Sequence, residues 1–362
     1  MISFLAGLAP ILGQLFQLRS LIEIAALSAV LISSMKKFSI SYFFIAYYLL
    51  ILSAYSIQGL NDIVLLMWGM AVAGYFSNPE NFRINLKKFY FGMMLSITFS
   101  AFYLVIHPLP DLQGRFAGLF SSVLAYGFVA SSLMVLTLCL EISQLRKFFL
   151  LTLILLLAIP SGSRHPVLIS LLCYIHLFFE MSLPKKILVA LIVLISIGAG
   201  SEFIDLSEFR SFSPNEVSDG TRFNVIKKYI ESLDFISFLF GHGRNSNGSL
   251  AYALGYLNDI TIESSYLTFA YSYGFLLFTC IFFIFLSRVV EARNKKKLKT
   301  GLFFIHLLSG FVSQVFENPV MLMIYVFVFS AILNLDVLTS NRVGLYSGYL
   351  AAANKLNFRG KL

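Results

Sequence analysis

Apolar runs long enough to cross a bilayer recur along the whole chain, at 38–58, 61–77, 88–107, 117–140, 146–160, 166–183, 186–201, 264–287, 301–316 and 318–335. A helix needs about 20 apolar residues to cross the hydrocarbon core, and shorter runs are tolerated. Residues 1–35 add one long span or two short ones around Gln17, Leu18 and Arg19, and two are expected. The expected fold class is therefore all-α: a polytopic membrane helix bundle of 11–12 transmembrane helices with one large periplasmic loop. Composition agrees, since 58% of the 362 residues are hydrophobic and 12% charged, whereas soluble domains hold about 45–50% apolar and about 25% charged residues. The first apolar stretch has neither a basic leader nor a small-residue cleavage site, so it is expected to stay as a span.

Orientation follows from Lys and Arg in alternate loops. One set holds Lys36 and Lys37; Arg83, Lys87 and Lys88; Arg146 and Lys147; Lys185 and Lys186; the run from Arg288 to Lys299; and a tail with Arg342, Lys355, Arg359 and Lys361. These 19 cations face 5 acids (Glu80, Glu141, Glu180, Glu291 and Asp336), which gives that side +14 and leaves −5 for the other, within a net charge of +9. The first side is expected to be cytoplasmic. The organisation that follows is a 1–201 N-terminal transmembrane bundle, a 202–263 periplasmic loop with an amphipathic helix, 264–337 C-terminal transmembrane helices and a 338–362 basic cytoplasmic tail. Topology alone explains the basic tail and the 288–299 run, so no nucleic-acid partner is expected.

The 202–263 loop carries most of the polar chemistry. Within it Phe223, Ile226, Ile230, Leu233 and Phe240 recur at helical spacing, opposite Asn224, Lys227, Lys228, Glu231 and Asp234, and Asp219-Gly220-Thr221 supplies a start signal. The outward cations are Arg19, Arg115, Arg164, Arg210, Arg222, Lys227, Lys228 and Arg244, six of eight being Arg. A guanidinium grips phosphate oxygens with two parallel hydrogen bonds, whereas Lys acts as a point charge.

Arg164 in "SGSRHPVL" lies just before Pro166, which suits a first helical position. The span 166–183 is thus expected to start immediately after Arg164-His165, its positive dipole end facing outward as an anion site. A snorkelling Arg bound to lipid headgroups is the plainer alternative. Arg115 in "GRFAGLF" and Arg222 in "DGTRFN" precede a span and the loop helix in the same way. Glu263, where the loop re-enters the membrane, is a candidate base. His242 in "FGHGRNS" is the other, held between glycines that allow close approach of a ligand. His176 and His306 within spans, and His107 at an outer end, read as core residues. So do Cys139, Cys173 and Cys280. No HExxH, paired CxxC, Walker loop or GxGxxG occurs, so no metal site and no cofactor are expected.

These segments, "GRFAGLF" at 114–120, "SGSRHPVL" at 161–168, "DGTRFNVI" at 219–226, "FGHGRNS" at 240–246 and "ESSYLTFAYSYG" at 263–274, resemble in their order the bacterial O-antigen polymerase and O-antigen ligase superfamily. The resemblance runs through about the middle half of the chain. It implies a glycosyltransferase of the inner membrane, multi-pass, with its site on the periplasmic face. Its donor would be an undecaprenyl-diphosphate-linked glycan, and a chain-length regulator and a flippase of the same pathway would be partners. Arg164 and Arg222 match family arginines that engage the diphosphate, with Arg115 a further candidate. His165, Arg244, Asn245 and Tyr266 are candidate substrate contacts. In many relatives, ligases above all, the segment matching 263–267 begins His-Asn, whereas here it reads Glu-Ser-Ser-Tyr-Leu. That departure leans towards a polymerase, which extends a lipid-linked repeat, over a ligase, which transfers glycan to lipid A-core.

The chemistry is coherent by itself. A sugar 1-diphosphate already carries a good leaving group, so the protein need only neutralise charge developing on the diphosphate and accept a proton from the incoming hydroxyl. A flippase or other transporter is the alternative of a different class, but it would show related halves and charges deep in the spans.

Overall fold

The computed structural model describes residues 2–35, 85–107, 116–120, 122–189, 235–241, 274–294, 300–312 and 319–333, with single residues 231, 266 and 270 besides. All regular structure there is helical. In chain order the helices are α1 (Ile2–Leu15), α2 (Arg19–Met35), α3 (Leu86–Ile106), α4 (Val123–Cys139), α5 (Gln144–Ala158), α6 (Arg164–Glu180), α7 (Phe235–Phe240), α8 (Phe275–Asn294), α9 (Thr300–Val312) and α10 (Pro319–Leu333). The first 35 residues thus form two helices, and the chain reverses between them at Gln17, which takes φ 54°. The expected spans 38–58 and 61–77, and the tail beyond 333, lie outside the described residues.

Caps mark where helices begin. The Asn85 side chain accepts from the Lys88 N–H at 3.1 Å, and the Ser122 hydroxyl accepts from the Ala125 N–H at 3.1 Å. Each satisfies one first-turn donor that has no partner within the helix. The Ser122 cap corrects the expected span 117–140. Its first residues, 117–120, form a turn, because Leu119 N–H instead finds Ser100 Oγ at 3.0 Å. Gly118 there adopts φ 58°.

Helix α4 is the hub, packing against α3, α5, α6, α9 and α10, and residues 125–139 of it are all buried. Helices α1 and α3 cross at two glycines. A Cβ on Gly7 would lie 2.5 Å from the Phe89 carbonyl oxygen, and one on Gly92 would collide with the Phe4 carbonyl. Small residues at such crossings let two backbones touch. Ser96 Oγ adds a bond to the Gly7 carbonyl at 2.9 Å. Since Ser3 pairs with Asn85 and Gly7 with Gly92, the two helices run parallel.

The bundle has two chemically different ends. Tyr126 OH donates to Leu157 O at 2.6 Å, tying the start of α4 to the end of α5. Gln144 donates to Glu180 O and Lys147 Nζ to Leu138 O at 2.7 Å, joining the start of α5 to the ends of α6 and α4. Tyr90 OH lies 3.1 Å from Thr137 Oγ1, which brings the start of α3 to the end of α4, so Lys87, Lys88, Arg146, Lys147, Lys185 and Lys186 share one end, and Arg164 stands at the other.

The outer surface is rich in large apolar side chains, among them Phe102, Val105 and Ile106 on α3, Leu156 on α5 and Phe179 on α6; Val105 is 74% and Phe179 76% exposed. Among the described residues, two helical segments, Leu86–Ile106 and Gln144–Ser161, are long and apolar enough to cross a membrane, and Val123–Cys139 and Val320–Ile332 are apolar but shorter. Cys139 and Cys173 are core residues as expected, but Cys280 on α8 is exposed.

Candidate functional site

The junction between α5 and α6 positions Arg164. Helix α5 tightens into a 3₁₀ turn at Ile159–Ser161. Gly162 then takes a left-handed φ of 65°, a conformation that costs glycine little. Ser163 is extended, and α6 begins at Arg164 itself. The helix therefore starts earlier than Pro166 suggested. Proline fits anywhere in the first turn, because N–H groups there have no intrahelical acceptor.

Ser163 makes no side-chain cap bond and packs against α4 instead. A Cβ on Gly127 would stand 2.6 Å from Ser163 Oγ, 2.9 Å from Ser163 Cβ and 3.3 Å from Pro166 Cδ. Only glycine allows the 163–166 corner to sit this close. Arg164 and His165, about 100° apart around the helix, diverge: Arg164 is exposed and His165 buried. His165 Nδ1 lies 3.3 Å from Ser131 Oγ, and its ring lies parallel to Phe128. A guanidinium at the positive end of a helix, open to solvent, suits an anion.

A second segment joins this corner. Phe116 N–H donates to Pro160 O at 3.2 Å, so residues 116–120 meet "PSGSRHP" although the α4–α5 hairpin separates them in sequence. Phe120 stacks on Tyr126 at 4.7 Å, which holds the 116–120 turn over the start of α4.

A buried aromatic and polar column continues from His165. Phe128 lies 6.4 Å from His165 and 6.4 Å from Tyr325 on α10. The Tyr325 hydroxyl is 2.6 Å from that of Tyr266, and Tyr266 packs over Gly310 of α9. His306 stacks on Tyr325 at 4.1 Å and donates from Nε2 to the Tyr325 carbonyl at 3.0 Å. Tyr266, a candidate substrate contact by sequence, thus has its hydroxyl committed to Tyr325 in the core, and it is 2% exposed. Further along, Gly274 (φ 87°) brings its backbone against Leu239 and Phe240. Phe238 stacks on Phe275 at 4.8 Å. The residue that opens "FGHGRNS" therefore abuts the start of α8.

Of the sequence candidates, Arg164, His165 and Tyr266 are placed. Arg115, Arg222, Glu263, His242, Arg244 and Asn245 lie outside the described residues, as does the loop helix apart from Glu231 and α7. His107, expected in the core, is instead exposed as the C-cap of α3, its ring tilted against Tyr103 at 4.3 Å, and His176 is half-buried and pairs with Glu180 at 3.4 Å. Among the described residues no three of His, Cys, Asp and Glu come together to hold a metal ion. Gly127, Ser131 and Tyr325 were not singled out by sequence. Gly127 and Ser131, like Gly92 and Ser96, carry the small-x-x-x-small spacing of close helix contacts, a signal open to reading.

No protein-family model matches the chain, and no curated protein or solved structure matches it significantly.

Proposed function

We propose that the chain is a multi-pass membrane glycosyltransferase of O-antigen polymerase type. It would transfer a growing glycan from undecaprenyl diphosphate to a lipid-linked repeat at the membrane's outer face. One observation carries the reading: the Phe116 N–H to Pro160 O bond joins the residues that follow Arg115 in sequence to the segment that carries Arg164, at the end of the bundle opposite the described lysines. A positive-inside chain with its phosphate-gripping arginine on the disfavoured side would have this arrangement. The large exposed apolar side chains on α3, α5 and α6 support a lipid-facing exterior.

In this reading Arg164 and Arg222, with Arg115 as a third cation, hold the diphosphate and stabilise the charge that develops as the sugar's anomeric C–O bond to phosphate breaks. Glu263 or His242 takes the proton from the attacking hydroxyl, and the polyprenyl diphosphate leaves. The test is the lipopolysaccharide ladder of a strain lacking the gene and carrying variants at normal protein levels. A single repeat on core in the empty strain, restored to a ladder by wild type, marks a polymerase. Polymer retained on its carrier, with no repeat on core, would mark a ligase. Arg164→Ala should cut chain extension about 10²-fold or more, as losing one oxyanion-type donor does. Arg164→Lys should be nearly as damaging, since it lacks the fork. A full ladder from Arg164→Ala refutes the reading.

A further inference from the structure

The hydrogen bonds around His165 fix its tautomer. Ser131 Oγ donates to the Gly127 carbonyl at 2.8 Å. A serine hydroxyl has one proton to give, so towards His165 Nδ1, 3.3 Å away, it accepts. The imidazole proton therefore sits on Nδ1. Nε2 is buried and has no hydrogen-bond partner among the described residues. The same corner is gripped again by the Gly127–Ser163–Pro166 approach and by Ser163 N–H donating to Ser161 Oγ at 3.2 Å. Because Ser163 makes no side-chain cap bond, the first turn of α6 is held from α4 rather than by its own cap.

We propose that His165 is a positioning residue: through Nδ1–H and Ser131 it clamps the first turn of α6 to α4 and holds the adjacent Arg164 guanidinium in place for the donor's diphosphate. The inference rests on the phosphate-gripping reading of Arg164. It assigns His165 no contact with substrate. What matters is the Nδ1 side of the ring, whereas a substrate ligand would act through Nε2.

Two isosteres separate these roles in the full-length protein. An Asn side chain places an amide N–H where Nδ1–H stood, and Gln reaches only the Nε2 position. His165→Ala, His165→Gln and Ser131→Ala should each lower kcat/KM for the lipid-diphosphate donor about fivefold to tenfold, the size of one buried hydrogen bond, with kcat falling because the misplaced Arg164 serves the developing charge less well. His165→Asn should stay within about twofold of wild type. In an Arg164→Ala background, His165→Ala should add nothing, because both act on one interaction. Activity retained by Gln and lost by Asn overturns the proposal, as do His165→Ala and Arg164→Ala effects that multiply.

A second measurement does not depend on activity. In a Cys280→Ser background, which removes the exposed thiol, Arg164→Cys is labelled with a water-soluble maleimide. Adding His165→Ala or Ser131→Ala should change the labelling rate about threefold or more as the turn is released. An unchanged rate overturns the clamp. A changed rate beside a normal ladder from Arg164→Ala upholds the clamp and rejects the glycosyltransfer reading instead.

Discussion

Replacing Gly7 by alanine tests the α1–α3 crossing, and the geometry there fixes the sign of the outcome. The new Cβ would stand 2.5 Å from Phe89 O, 2.8 Å from Met93 N and 3.0 Å from Gly92 C. All three are backbone atoms, so no side chain can swing away. Restoring ordinary contact near about 3.4 Å requires the helices to part by roughly 0.9 Å. That movement also stretches the 2.9 Å bond from Ser96 Oγ to Gly7 O out of range and leaves the 3.1 Å bond to Gly92 O. Overpacking costs about 1–3 kcal/mol and the lost bond about 1, while the better helix propensity of alanine returns about 1. The net is about 2 kcal/mol of destabilisation, which lowers the melting temperature by roughly 4 °C in a chain of this size. Thermal unfolding of the purified protein in mild detergent, followed by circular dichroism, reads it directly. Gly92→Ala should act alike, and the pair should cost less than the sum, because the first opening relieves the second. A melting temperature that rises, as helix propensity alone demands, refutes the reasoning.

Three other outcomes are expected. Tyr325→Phe and Tyr266→Phe each strip a buried hydroxyl of its 2.6 Å partner, so each should cost about 1–3 kcal/mol, with the double variant costing less than the two together; the same melts measure it. Lys147→Met removes the ammonium that donates to Leu138 O at the C-terminus of α4 and should cost about 1 kcal/mol, read as a lower melting temperature. Cysteines placed singly at 164 and 185 should react with an impermeant maleimide from opposite faces of sealed vesicles, and labelling of both from one face would dismiss the membrane-spanning reading.

Much of the helical framework was legible because long apolar runs announce helices whatever they pack against. The runs 88–107, 301–316 and 318–335 correspond to α3, α9 and α10 within a few residues. Hydropathy failed at 117–120, where apolar residues form a turn held by Ser100 and the helix begins only after the Ser122 cap; hydrogen bonds decided the backbone there and hydrophobicity did not. The start of α6 was misjudged for a related reason, since Pro166 tolerates any first-turn place and the left-handed Gly162 sets the boundary.

Arg164 was visible as a charge on the disfavoured side. That its neighbour turns inward was not, because hydropathy gives no direction around a helix and His165 is apolar enough for one side and polar enough for the other. The Tyr266–Tyr325 pair was beyond reach as well. It joins residues 59 apart in sequence, and no local pattern reports such a distance.

The back-to-back fates of Arg164 and His165 make the Gly162–Ser163 step a register setting. Losing one residue there turns α6 by about 100° relative to its neighbours. The imidazole would then take the outward place of Arg164 and the guanidinium the buried place of Ser163 against Gly127, a shift the packed interior would resist through the cost of a buried charge. A substitution at this corner disturbs one contact, whereas a change in its length moves every side chain of α6 at once.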